Sequence, residues 1–287
     1  MQTSGLNIMR TMALIGAVVA PLLALPGAAS AEPLRVAADV GYAPWAMRSA
    51  SGDTSGFSID VAEEIAKRIG RDGVEVIDVN FSAIFAGLFA ERYDMIVAPM
   101  QITETRADEL LFTEGYLTSG LALVAAESND TIASPEDLNG KILATNNGSQ
   151  TDIWATANAE KYGFTVQRYD KDTDAMQAVV TGRADADIVN MFVAQHAAKN
   201  NKKLKVVARI YTDKDIAYAV RPVDVELRNT IEVAMECMKL DGTMHELHEK
   251  WFGEYPEPVN SIMKVYAGFG PVGFKGYDAT FHVPDCK

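Results

Sequence analysis

The chain has 287 residues with 39 acidic and 26 basic side chains, which gives a formal net charge of −13. This acidity argues against nucleic acids and anionic membranes as partners, because both repel a negative surface. It does not exclude a small anionic ligand, since one local arginine can outweigh a distant field. The length fits one large domain or two lobes of ordinary size.

Residues 1–31 have the pattern of an export signal. Arg10 precedes an apolar run over residues 12–25, and residues 29–31 (ASA) supply the small side chains that a signal peptidase reads. A membrane anchor is the alternative, but two prolines interrupt the run and it is short for a span. We therefore expect export to the periplasm with cleavage after Ala31.

Strands and helices are predicted to alternate from residue 34 onward. The first series contains strands at 34–38, 74–79 and 95–100, and helices at 58–69, 81–94 and from Thr103. The second contains strands at 121–126, 141–145, 166–170, 186–190, 204–210 and 216–222, and helices at 149–163, 174–185 and 225–253, the last broken at Asp241-Gly242. This alternation predicts an α/β fold with mostly parallel sheets covered by helices. The tail, 255–287, is rich in glycine, proline and aromatic residues and has no regular pattern.

The two cysteines, Cys237 and Cys286, both lie in the part expected to be exported. An even number of cysteines in an oxidising compartment predicts one disulfide, which would tie the tail to the terminal helices. Two unpaired thiols, one of them buried, are the alternative.

Arg106 occupies an unfavourable position in its helix. Thr103 is a natural N-cap, so Arg106 falls in the first turn, where the helix dipole disfavours a cation. It also lies just past the carboxyl end of the predicted strand 95–100. A surface arginine paired with Asp108 or Glu109 is one interpretation.

A shared anion is the other interpretation of Arg106. Gly148 and Ser149 stand between a strand and a helix of the second series, where free backbone N–H groups attract anions. A carboxylate held by Arg106 on one side and by the Ser149 and Gln150 amides on the other would explain the arginine, since guanidinium binds carboxylate through two hydrogen bonds.

Four stretches resemble the family 3, amino-acid type, solute-binding proteins of ABC importers: "DVGYAPW", "GFSIDVAEEIAKRIG", "FSAIFAGLFAERYDMIVAPMQITETRADELLFTEGY" and "GRADADIV". The likeness runs from about residue 34 to residue 253, and residues 81–116 are its most specific part. It implies a two-lobed, type II "Venus flytrap" fold with two crossover strands, a C-terminal tail, and a cleft that closes on one small molecule. The implied domains are lobe 1 at 32–122 and 218–254, lobe 2 at 123–217, and an extension at 255–287.

The resemblance also implies the residues that bind the ligand. Arg106 matches the arginine that binds the ligand α-carboxylate, and Ser149 and Gln150 match the loop that covers the same group. Tyr42 and Phe81 match aromatic walls around the ligand side chain.

Among the other cleft positions, one matches the family pattern and the others depart from it. Asp39 matches a position that contacts a basic side-chain terminus. Pro99 replaces glycine or serine and lacks an N–H donor, and Gln101, like Gln150, is larger than the usual serine or threonine. Asn190 stands where the family usually has the aspartate that pairs with the α-ammonium. We therefore expect a small carboxylate without a free primary ammonium, unless Asp39 or another cleft carboxylate takes over that charge.

The resemblance implies a periplasmic, monomeric receptor that captures an amino-acid-like carboxylate for an inner-membrane ABC permease, without catalysis, cofactor or metal. One alternative is a cyclohexadienyl-dehydratase-like enzyme, with Asp39 as its acid or base. Another is an accessory or sensory homologue associated with a periplasmic quinoprotein dehydrogenase, which the 255–287 tail favours. His245 and His248 lie one turn apart but lack metalloprotease spacing, so a solvated helix face is expected there.

Overall fold

A computed structural model of the protein describes residues 1–2, 31–212 and 214–286, so the expected export signal lies outside the described residues. The strands are β1 Leu34–Ala38, β2 Met47–Arg48, β3 Thr54–Ser55, β4 Val74–Asp78, β5 Met95–Gln101, β6 Leu111–Phe112, β7 Leu117–Thr118, β8 Leu121–Ala126, β9 Ile142–Asn146, β10 Thr165–Tyr169, β11 Ala186–Asn190, β12 Leu204–Ile210 and β13 Asp215–Val220. The helices are α1 Phe57–Arg68, α2 Ile84–Phe89, α3 Glu104–Glu109, α4 Gln150–Tyr162, α5 Asp172–Val180, α6 Met191–Asn200, α7 Val225–Asp241 and α8 Thr243–Phe252. Within this part of the chain, no helix combines the length and apolarity needed to cross a membrane.

The first large sheet has the strand order β4-β1-β5-β13-β6, and β7 also pairs with β13. Strands β4, β1 and β5 are parallel, while β13 is antiparallel to β5. Helices α1, α2, α7 and α8 pack around this sheet, and we call the unit lobe 1.

The second sheet has the order β10-β9-β11-β8-β12 and packs against α4, α5 and α6, forming lobe 2. Strands β9, β10 and β11 are parallel, whereas β8 runs antiparallel to both neighbours. Both sheets are therefore mixed rather than mostly parallel, because β8 enters lobe 2 and β13 returns to lobe 1 against the direction of the strands beside them. The proposed domain limits at 122/123 and 217/218 fall inside β8 and β13, each of which pairs within one sheet.

Two predicted helices are shorter than expected. The segment 81–94 begins with a 3-10 turn and its helix ends at Phe89, after which Glu91 adopts a left-handed φ of 56°. The segment 174–185 ends at Val180, where the Thr181 hydroxyl donates to the Gln177 carbonyl at 2.8 Å. The predicted break at Asp241-Gly242 separates α7 from α8, and Gly242 has a φ of 91° there.

The tail folds back over α7. The predicted disulfide is confirmed, with Cys237 and Cys286 bonded and their Cα atoms 5.4 Å apart. Near it, His282 Nε2 lies 2.8 Å from the Glu236 carboxylate. The Gly270 N–H donates to Glu232 Oε1 at 2.7 Å, so the tail covers buried carboxylates on this helix.

Those carboxylates form an acidic cluster of Glu114, Glu232 and Glu236, whose oxygens lie within 4.8 Å of one another. Lys239 Nζ lies 2.5 Å from Glu114 Oε1, and both side chains are almost completely buried. The Glu114 N–H donates to the second oxygen of Glu232 at 2.9 Å. The cluster is therefore held by an ammonium and by backbone donors.

Candidate functional site

A cavity lies between the two lobes, where β1 and β5 of lobe 1 face the loops before α4 and α6 of lobe 2. All of the predicted ligand-binding residues line it: Asp39, Tyr42, Phe81, Pro99, Gln101, Arg106, Ser149, Gln150 and Asn190. The wall also contains residues that the sequence analysis did not single out: Ala98, Leu121, Asn146, Thr151 and Ile216.

Arg106 is buried at this cavity, with 8% of its surface exposed. Its position follows from the local fold, because Thr103 caps α3 by accepting the Arg106 N–H at 3.3 Å. Nη1 donates to the Gln101 carbonyl at 3.2 Å, and the guanidinium lies 5.6 Å from the Phe81 ring centroid. Nη2 is buried and has no hydrogen-bond partner within the described residues.

The alternative of a surface arginine paired with Asp108 or Glu109 is wrong, because Arg106 is buried and forms no ion pair with either residue. Asp108 is exposed and lies 3.7 Å from Lys275 instead. Across the described ranges, no carboxylate lies within 4.0 Å of the Arg106 guanidinium. Burial lowers the pKa of Arg106 to about 10, so the group stays charged at neutral pH without an internal counter-ion.

Two acceptors on the same cavity are also without partners. Asn146 Oδ1 and Gln150 Oε1 are buried, and the described part of the chain supplies no hydrogen bond to either. Buried polar atoms are nearly always satisfied by protein, water or a ligand. A donor on Arg106 and these two acceptors around one cavity therefore match a small polar molecule.

At the start of α4, fewer backbone N–H groups are free to bind an anion than predicted. Ser149 caps the helix by accepting the Asp152 N–H at 3.3 Å, and the Ser149 N–H itself donates to the Asn146 carbonyl at 3.3 Å. The Gly148 N–H donates to Asp152 Oδ2 at 3.0 Å. Of the two amides predicted to receive the anion, that of Gln150 is the better candidate.

Asn190 has structural contacts that the sequence analysis missed. Its Oδ1 caps α6 by accepting the Phe192 N–H at 2.9 Å, and its Nδ2 donates to Ser119 Oγ at 3.0 Å. The Asn190 N–H donates to the Tyr42 hydroxyl at 3.2 Å, which joins the lobes. The preference for asparagine before a helix was a signal for the cap.

Asp39 is engaged by the protein itself. Its Oδ2 accepts from Asn146 Nδ2 at 3.0 Å, and its Oδ1 lies 2.6 Å from Lys171 Nζ. Burial raises the pKa of Asp39, and Lys171 opposes that rise. Lys171 also lies 2.7 Å from Asp78, and its place in "YDKDTDA" gave no sign that it reaches the cleft.

Two tryptophans and His248 lie away from the cavity wall. Trp45 is fully buried and packs edge-on against Phe57, while Trp154 stacks on Tyr162 and Phe164 in lobe 2. His248 is buried rather than solvated, and its Nδ1 lies 2.8 Å from the Glu254 carbonyl.

Two buried acids lie behind the cleft. Asp187 on β11 is fully buried, and neither of its oxygens has a side-chain hydrogen-bond partner among the described residues. Burial raises its pKa well above the ordinary value, and raises the pKa of Asp172 to about 8. Both carboxyls are therefore largely protonated at neutral pH.

Comparison with known proteins gives one consistent result. Residues 34–254 match the bacterial extracellular solute-binding proteins, family 3. The L-cystine-binding protein TcyJ of Escherichia coli (strain K12) is 28% identical, over 74% of this chain and 79% of that protein. The L-arginine-binding protein of Pseudomonas aeruginosa is 26% identical, over 85% of this chain and 97% of the relative.

Among solved structures, an ancestral arginine-binding protein bound to arginine superimposes with a TM-score of 0.74. It is 34% identical, and the match covers 78% of this chain and all of that one. The two-lobed, type II periplasmic-binding fold expected from the sequence is confirmed.

Proposed function

The chain belongs to the bacterial extracellular solute-binding proteins of family 3, and we propose that its interlobe cleft captures a small polar carboxylate for an ABC importer. The ligand is an amino-acid-like molecule or a modified amino acid. Arg106 binds its carboxylate, and the Gln150 amide covers the same group from lobe 2.

The observation that carries this proposal is the incomplete pairing of Arg106. A guanidinium this deeply buried needs a counter-ion, since an uncompensated buried charge is expensive. Its Nη2 is buried at the cavity without a partner among the described residues. A bidentate carboxylate supplies both the missing charge and the missing acceptor.

The polar contacts opposite Arg106 favour a ligand without a free primary ammonium. Asn190 is neutral, and its carbonyl oxygen already accepts the Phe192 N–H. Asp39 is the acidic side chain among the described residues that line the cavity, and both of its oxygens are engaged. A substituted amine or a hydroxyl fits these neighbours better, because each can still donate to the two unpaired acceptors on this cavity.

Delivery to an inner-membrane permease by a monomeric periplasmic receptor completes the proposal. This part of the proposal is supported by relatives that are named for binding cystine and arginine and that match most of the length of this chain. The enzymatic alternative has less support, because Lys171 and Asn146 hold the carboxylate of Asp39 that was its candidate acid or base.

Mass spectrometry of the small molecule retained after native purification tests the proposal. We expect a single class of small carboxylate, released on unfolding, and expect it to be lost from Arg106→Ala purified in the same way. A retained molecule without any acidic group, or equal retention by both proteins, would contradict the proposal.

A further inference from the structure

A buried carboxylate in a ligand cleft is the natural partner of a cationic ligand group, yet Asp39 already has a cation. Lys171 Nζ lies 2.6 Å from Asp39 Oδ1, and Asn146 Nδ2 donates to Oδ2 at 3.0 Å. Asp39 is 4% exposed, so little of its surface is left for another partner. The protein therefore supplies internally what a basic ligand would bring.

Lys171 is placed so that its ammonium pairs with two carboxylates of lobe 1 at once. Asp39 and Asp78 lie at the same end of the neighbouring parallel strands β1 and β4, where Ala38 pairs with Asp78. Lys171 comes from lobe 2, immediately before α5, and reaches both carboxylates across the cleft. Its ammonium lies 2.7 Å from Asp78 Oδ1 as well as 2.6 Å from Asp39.

A cationic side chain entering beside Asp39 must either displace Lys171 from two carboxylates or approach another ammonium closely. Both cost free energy, since like charges in a poorly solvated site repel strongly. A neutral side chain meets no such obstacle.

We propose that Lys171 is a specificity-determining residue: a resident cation that occupies Asp39 and excludes ligands with a cationic side chain. This inference rests on the proposed function, because it assumes that the interlobe cavity is the ligand site. It narrows the ligand class to carboxylates with a neutral side chain.

Lys171→Met tests the resident cation, because methionine keeps much of the length and removes the charge. The probes are arginine and citrulline, which differ in a guanidinium against a neutral urea group. We expect the arginine-to-citrulline affinity ratio, measured by calorimetry, to rise at least tenfold over the wild type, or about 1.4 kcal/mol. An unchanged ratio, no detectable arginine binding by the variant, or a wild type that already prefers arginine would overturn the inference.

Matched variants separate charge exclusion from general damage. Lys67→Met removes an exposed lysine paired with Glu64 and should leave the ratio unchanged. The double variant Asp39→Asn/Lys171→Met should lose the gain, because no carboxylate remains there to attract the guanidinium. If Lys171→Met fails to fold, Lys171→Gln makes the same measurement with a side chain that can still donate to Asp39.

Argininamide, which has no carboxylate, distinguishes this inference from the proposed function. If Lys171→Met binds argininamide as tightly as arginine and prefers both over citrulline, the resident cation stands and the carboxylate clamp at Arg106 fails. If the ratio stays fixed while Arg106→Ala abolishes binding of the retained carboxylate, the clamp stands and the resident cation fails.

Discussion

The acidic cluster beneath the tail and the cleft both bury charged side chains, and they differ in how those charges are paired. In the acidic cluster beneath the tail, Lys239 pairs with Glu114, and backbone N–H groups donate to both oxygens of Glu232. In the cleft, Arg106 has one hydrogen bond to a backbone carbonyl and no carboxylate partner among the described residues.

This difference in pairing distinguishes side chains that stabilise the fold from a side chain that binds a ligand. A buried ion paired inside the chain contributes to one folded arrangement, and removing its partner exposes the whole desolvation cost. A buried ion with incomplete pairing beside a cavity is stabilised most when a ligand of opposite charge binds there. The cluster should therefore affect stability, and Arg106 should affect binding.

The largest expected effect is on stability at the cluster. Lys239→Met leaves Glu114 buried without its ammonium, and breaking a buried pair in this way costs about 3–5 kcal/mol. We expect urea unfolding to show a loss of that size, while ligand affinity per folded molecule stays unchanged. Lys250→Met is the control, because Lys250 is 58% exposed in its pair with Asp60 and should cost less than about 1 kcal/mol.

A small loss in Lys239→Met, similar to that in Lys250→Met, would contradict the structural role of the cluster. A selective loss of ligand binding would break the comparison itself, since it would assign ligand binding to the cluster whose lysine pairs with a carboxylate of the same chain.

Arg106 should show the opposite pattern. Arg106→Ala removes the charge that holds the ligand carboxylate and should cost about 2–5 kcal/mol of binding. Stability without ligand should change little or rise, because a buried cation leaves the first turn of α3. Arg106→Lys should recover part of the affinity, since an ammonium cannot form the bidentate pair.

Calorimetry with the retained carboxylate measures the affinity, and thermal unfolding measures the stability. Arg183→Ala removes an exposed arginine on lobe 2 and controls for net charge. If Arg106→Ala binds as tightly as the control, the clamp is wrong.

Asp187 shows why an unpaired buried acid is weaker evidence for a ligand site than an unpaired buried arginine. Burial raises its pKa well above the ordinary value, so the carboxyl stays protonated and avoids buried charge. Arg106, with a pKa lowered to about 10, cannot lose its proton at neutral pH. Only the arginine therefore needs a counter-ion.

The raised pKa of Asp187 fixes the sign of a pH effect. The folded state binds this proton more tightly than the unfolded state, whose pKa is about 3.9. The contribution of Asp187 to stability should therefore fall as the pH rises above that value, by up to about 1.4 kcal/mol per pH unit, until the pH reaches the folded pKa. Asp187→Asn removes this dependence, so the variant should match the wild type near pH 4 and exceed it at pH 7.

Urea unfolding between pH 4 and pH 7 measures that difference. Asp130→Asn changes a carboxylate that is 90% exposed and should differ from the wild type equally at every pH. A constant offset for Asp187→Asn would show that Asp187 ionises normally in the folded protein.

Much of the fold could be predicted because it depends on local pattern. The apolar run at β5 and the helical spacing in α1 identify those elements without any tertiary knowledge. The ends of α2 and α5 were misplaced because the alanine and threonine directly after Phe89 and Val180 are compatible with helix. The chain instead leaves each helix through a local left-handed turn, at Glu91 with a φ of 56° and at Gly182 with a φ of 72°, and Gly182 was a signal for that end. The crossover strands β8 and β13 do not have the composition of linkers, so the sequence did not show which sheet each strand joins.

The cleft was predictable where a family motif exists and unpredictable where contacts are distant in the chain. Arg106 stands out in sequence by its conflict with the helix dipole. Lys171 meets Asp39 from 132 residues away, and nothing in its neighbourhood predicts that pairing. The contacts of Asn190 with Tyr42 and Ser119 likewise join residues far apart in the chain.

The smallest expected effect concerns Asn190, whose side chain is neutral and already hydrogen-bonded within lobe 2. Asn190→Asp keeps the cap on α6, since aspartate accepts the Phe192 N–H as well as asparagine does, and Ser119 can donate to it. The new carboxylate offers an α-ammonium a charge-assisted bond about twice as strong as a neutral one. We expect common α-amino acids to bind the wild type weakly and the variant about tenfold more tightly, while carboxylates without an ammonium gain nothing. Calorimetry checks this against Asn200→Asp, which makes the same charge change at an exposed position of α6. Sub-micromolar wild-type affinity for an ordinary amino acid would show that the cleft already holds the ammonium without Asn190.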